Sequence, residues 1–176
     1  MMNFIFSIIP TLFLLIAPTL VHAESDWDKS EENYQGNKEI TVYRAPNCQC
    51  CHKWISHLEK HDFTVIDMLT QDMASVKEAV KLPRQMASCH TAVIDGYIIE
   101  GHVPADDIKR LLANKPDIAG LSVPQMPVGT PGMEMGNKRD NFIVFSFDNS
   151  GNYDSYEKYR HDASSATYIR ETSHIE

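Results

Sequence analysis

The chain has 176 residues, with 24 Asp and Glu against 16 Lys and Arg, giving a formal charge of −8 with histidine neutral. That length suffices for one domain with a real hydrophobic core. The acidic balance, without any Lys/Arg run, excludes a nucleic-acid surface, because phosphate affinity rests on clustered positive charge.

Residues 1–23 contain no Asp, Glu, Lys or Arg. The apolar run from Phe4 to Leu20 leads into Val21-His22-Ala23, with compact residues where signal peptidase needs them. This reads as a signal peptide cleaved after Ala23, which predicts a periplasmic protein with no membrane attachment after cleavage. Pro10 and Pro18 interrupt the stretch and weigh against the alternative, an uncleaved anchor. Residues 24–38 are polar and acidic and read as a mobile leader.

The folded domain is expected over residues 39–159. Ile40-Thr41-Val42-Tyr43 is β-branched and aromatic, as a strand requires, and Arg44-Ala45-Pro46-Asn47 ends it. A helix follows, with Asn47 as expected N-cap and Cys51, Trp54, Ile55 and Leu58 spaced to bury one face. Phe63 to Met68 reads as a second strand, parallel to the first because a helix intervenes. A second helix starts near Asp72 and stops before Pro83. Thr91 to Ile94 and Tyr97 to Glu100 flank Asp95-Gly96, a strong hairpin signal. A third helix starts at Pro104, with Asp106 and Asp107 in its first turn and Ile108, Leu111 and Leu112 facing inward.

This order predicts an α/β, thioredoxin-like fold: a central mixed four-stranded sheet with flanking helices. Residues 114–140 hold four prolines and show no periodicity, so they read as a long loop, of the kind that is usually functional or disordered. Asn141 to Phe147 and Asn152 to Tyr159 read as an added C-terminal β-hairpin, and residues 160–176 as a flexible tail.

The four cysteines are Cys48, Cys50, Cys51 and Cys89. Three of them crowd into four residues where a strand gives way to a helix. Free backbone N–H groups and the helix dipole favour thiolates there. Cys48 and Cys51 have the spacing of disulfide-exchange proteins, in which one attacks and the other resolves. Cys50 adds a third thiol, and thiolate clusters select Cu(I), Zn²⁺ or iron–sulfur units. Cys89 lies just before the strand that should pass beside this turn, so four sulfurs can converge. In an exported, metal-free chain these thiols should pair, most readily Cys48 with Cys51 or a cluster cysteine with Cys89. Three readings follow: a copper-binding protein, a thiol–disulfide oxidoreductase and, less favoured, a structural zinc module.

Four motifs then make a resemblance specific: Cys48-Gln49-Cys50-Cys51-His52-Lys53-Trp54, Ala87-Ser88-Cys89-His90-Thr91-Ala92, Gly101-His102-Val103-Pro104-Ala105, and the stretch from Met126 to Glu134. Together they resemble the periplasmic copper-resistance family CopG, thioredoxin-like proteins long of unknown function. The resemblance runs from about Glu39 to Met135. It implies copper held by Cys48, Cys50, Cys51 and Cys89, and an oxidoreductase role in copper handling outside the inner membrane. The expected partners are copper ions and other periplasmic copper-handling or redox proteins.

Met126 and Met133 offer thioethers, soft donors suited to Cu(I), and His90 and His102 offer imidazoles that suit Cu(I) or Cu(II). These four residues complete the expected ligand set, which has room for more than one ion. His57 and His61, four apart on the first helix, read as solvated residues beside Lys60.

Overall fold

The computed structural model describes residues 25–171. The predicted signal peptide and the last five residues lie outside them. All strands among the described residues join one mixed eight-stranded sheet, in the order β2-β1-β3-β4-β5-β6-β7-β8.

Strand β1 (Glu39–Arg44) alternates exposed and buried residues and sends Ile40 and Val42 fully inside. Helix α1 (Gln49–Lys60) returns the chain so that β2 (Thr64–Leu69) pairs parallel to β1. Helix α2 (Met73–Ala79) starts at its N-cap Asp72, whose carboxylate accepts from Ser75 N at 3.0 Å. A 3-10 turn (Arg84–Met86) leads into β3 (His90–Ile94), antiparallel to β1, and β4 (Tyr97–Glu100) is antiparallel to β3. Asp95 and Gly96 both have positive φ, 50° and 85°, as a two-residue primed turn requires. Helix α3 (Ala105–Asn114) then packs Ile108, Leu111 and Leu112 into the core.

Beyond α3 the molecule departs from expectation. The sheet has eight strands rather than four with a separate hairpin. The residues 114–140 expected as loop contain a short strand, β5 (Gly120–Ser122), parallel to β4 and antiparallel to β6 (Phe142–Phe147). The expected hairpin of β6 and β7 (Tyr153–Asp162) therefore continues the central sheet. The expected tail supplies β8 (Thr167–Glu171), paired antiparallel with β7.

The expected leader is also engaged. Trp27 is only 9% exposed and belongs to the main core cluster. Its indole packs edge-on to Phe142 and Tyr159 and stacks on Tyr168. A tertiary cage, not local periodicity, orders this segment. His57 and His61 are buried as well, at 6% and 3% exposure, because this N-terminal strap and α3 cover the outer face of α1.

A candidate metal centre at the end of the sheet

The N-cap of α1 is Cys48, not Asn47: its sulfur accepts from Cys51 N at 3.4 Å. Capping by sulfur places Cys48, Cys50 and Cys51 around the first helical turn, where helical N–H groups lack internal partners. Cys51 is fully buried, while Cys48 and Cys50 are partly exposed. Cys48 and Cys51 form a disulfide, with Cα atoms 5.3 Å apart, the first of the two expected pairings. Cys50 Sγ lies 3.5 Å from Cys48 Sγ.

Register explains how Cys89 joins them. The last residue of β1, Arg44, pairs with the first of β3, His90, so the residue before β3 faces the turn that follows β1. All four sulfurs lie within 4.8 Å of one another. A buried polar network fixes this segment. Glu100, fully buried, accepts from Ser88 N and from the Thr91 hydroxyl, both at 2.6 Å, and pairs with Lys77 of α2. Burial pushes the Glu100 carboxyl up, and the Lys77 charge opposes it. Sequence reasoning missed this carboxylate; its only local signal is its place ahead of Gly101-His102.

Two imidazoles complete the site. Cys89 Sγ is 3.1 Å from His102 Nε2 and 3.2 Å from His90 Nδ1, and these three donors form a second group within 4.8 Å. His102 Nδ1 donates to Pro131 O at 2.8 Å, which leaves the Nε2 lone pair for the sulfur side. His90 lies against Trp54, with ring centroids 4.3 Å apart, and its buried Nε2 has no partner among the described residues. Burial pushes the Cys89 thiol up to about 12, and Cys50 adds to the effect. Burial likewise holds His102 down at about 4 and His90 well below its ordinary value. At neutral pH the site therefore presents a protonated Cys89 and neutral imidazoles. A cation held there would displace the thiol proton and could use the His102 Nε2 lone pair.

The methionines differ from each other. Met133 is 8% exposed and follows Gly132, where an added Cβ would fall 2.8 Å from Cys50 O and 2.6 Å from Trp54 N. Gly132 thus lies directly against the start of α1. Met126 is 50% exposed and follows Gln125, which bridges to Ser88 beside Cys89. Met135 is exposed.

Four sulfurs and two imidazoles converging at one end of a mixed α/β sheet define a protein with a candidate soft-metal centre. Among proteins of known kind, the family model described as "Protein of unknown function, DUF411" matches residues 86–133, the stretch holding Cys89, His90, His102, Met126 and Met133. The chain is similar to a solved structure named Copper resistance protein copG, Form 1, with 46% identity and a TM-score of 0.67, over 70% of this chain and 98% of that one. Form 2 of the same protein is 45% identical with a TM-score of 0.68, over 71% of this chain and 100% of that one. No curated protein matches. The chain belongs to the CopG copper-resistance family. Among the described residues, no helix is long and apolar enough to cross a membrane.

Proposed function

We propose that this chain is a periplasmic copper-binding protein of copper resistance, holding Cu(I) through Cys48, Cys50, Cys51 and Cys89 on a thioredoxin-like scaffold. The observation that carries the proposal is the meeting of sulfurs from two distant segments within 4.8 Å, with two neutral imidazoles facing one of them. Thiolates select Cu(I), and imidazole suits both copper valences. The order β2-β1-β3-β4, with β1 and β2 parallel and β3 and β4 antiparallel, supports the scaffold assignment. His90, His102 and the buried Met133 are the further donors assigned to the centre, with Met126 at its exposed margin. Export follows from cleavage after Ala23.

The site also supports redox change. Reduction of the Cys48–Cys51 bond takes two electrons and two protons and returns two thiols, completing the set of four. A second reading, thiol–disulfide exchange, is favoured by that same bond: Cys48 is the partly exposed sulfur and Cys51 the buried one. The two readings part at Cys50. Anaerobic Cu(I) titration of the reduced protein should develop ultraviolet Cu–thiolate absorption, and Cys50→Ser should lose most of it while still forming the Cys48–Cys51 disulfide. Equal copper uptake in Cys50→Ser, or exchange activity on a model disulfide with no copper bound by either protein, would refute the copper reading.

A further inference from the structure

We propose that Trp27 is a positioning residue of the metal centre: through the loop it anchors at Gly129, it holds His102 with its Nε2 lone pair facing Cys89. The inference rests on the copper reading of that centre. It begins with a hydrogen bond that core packing alone does not require. Within its aromatic cage, Trp27 donates its indole N–H to Gly129 O at 2.7 Å.

The segment it grips is a closed bracket. Gly129 N donates to Met133 O at 2.9 Å, Met133 N to Thr130 O at 2.8 Å, and the Thr130 hydroxyl to Pro127 O at 2.9 Å. Gly129 to Met133 are all buried. Gly129 and Gly132 supply the positive φ values, 99° and 82°, that the bracket's turns require, and the ring-fixed φ of Pro131 together with the three hydrogen bonds restrains it. On the outside Tyr168 Oη lies 3.3 Å from Val128 O and donates to Asp140 O at 3.0 Å, tying β8 to the same loop.

The bracket's inner edge bears on the site. Pro131 O accepts the hydrogen bond from His102 Nδ1–H, and Gly132 rests on the turn that carries Cys50. A neutral imidazole carries one proton. Fixing it on Nδ1 makes Nε2 the acceptor or ligand atom; losing the carbonyl frees the other tautomer, which aims a proton at the sulfurs. Trp27 thus sits at the outer end of a short rigid path, and the His102 lone pair at its inner end.

The test is Trp27→Phe, which keeps aromatic packing and removes the donor. In metal-free protein with the Cys48–Cys51 bond intact, ¹⁵N shifts of His102 should report a single Nδ1–H tautomer in the wild type and a mixture in the variant. In reduced protein, Cu(I) affinity should fall about tenfold, as for other outer-shell partners of metal-binding histidine. That loss should vanish on a His102→Gln background, since the coupling belongs to the pair. Tyr168→Phe, at a half-buried position, removes the loop's other outer hydroxyl contact and should shift the tautomer in the same direction even if Trp27→Phe fails to fold. An unchanged tautomer in the folded variants, or an affinity loss of equal size with and without His102, would overturn the assignment. If the wild type takes up no Cu(I), the copper reading falls and the tautomer comparison alone decides the role of Trp27.

Discussion

His57 offers a quantitative check on the strap that covers α1. Ala105 N donates to His57 Nε2 at 3.0 Å, so the buried ring is neutral with its proton on Nδ1. Burial first, and the neighbouring His61 second, hold its pKa at about 3, against 6.5 for an exposed histidine. The folded form thus resists protonation that the unfolded chain accepts. Stability is fully present above pH 6.5, falls as pH drops below it, and stops falling below about pH 3. At about 1.36 kcal/mol per pH unit, His57 alone removes about 2 kcal/mol between pH 7 and pH 5. His57→Gln keeps an acceptor for Ala105 N and removes the titration. Urea unfolding of both proteins at the two pH values isolates the difference, because His90 and His102 titrate alike in each. The wild type should lose about 2 kcal/mol more than the variant. Parallel losses would show that His57 is hydrated in solution and that the strap does not seal α1.

Other perturbations bear on the site's supports. Gly132→Ala places a Cβ at a positive φ and against Cys50 O and Trp54 N. It should cost more than about 1 kcal/mol in urea unfolding and weaken Cu(I) binding; wild-type values for both would mean the loop does not rest on α1. Glu100→Gln breaks the buried pair with Lys77 and should cost about 3 kcal/mol, the low end for such pairs because Lys77 reaches solvent. It should also speed alkylation of Cys89, and an unchanged alkylation rate would argue that Glu100 does not hold the 88–91 segment.

What the sequence disclosed followed local periodicity and turn chemistry. The buried face of α1, the parallel β1–β2 pair and the Asp95-Gly96 hairpin were legible because each is dictated within about ten residues. Cys89 was legible only through the topology those elements imply. β5 was hidden because three residues between proline-rich segments carry no period, and β8 because Thr167–Glu171 is mostly polar on an edge strand. Trp27 stands as one apolar residue in an acidic stretch, and what buries it comes from β6, β7 and β8. The same distance in sequence concealed the Pro131 carbonyl behind His102 and the cover over His57 and His61. The Asn47 cap was a near miss: Cys48, one residue later, serves instead through sulfur.

X-ray absorption at the copper K edge of the reduced, Cu(I)-loaded protein, compared with Cys50→Ser, asks most directly whether these sulfurs hold the metal. The wild type should show a first shell dominated by sulfur, with a minor nitrogen contribution that falls on substituting His102. A shell of nitrogen and oxygen alone, or a sulfur shell identical in Cys50→Ser, would contradict a copper centre built on the cysteine cluster.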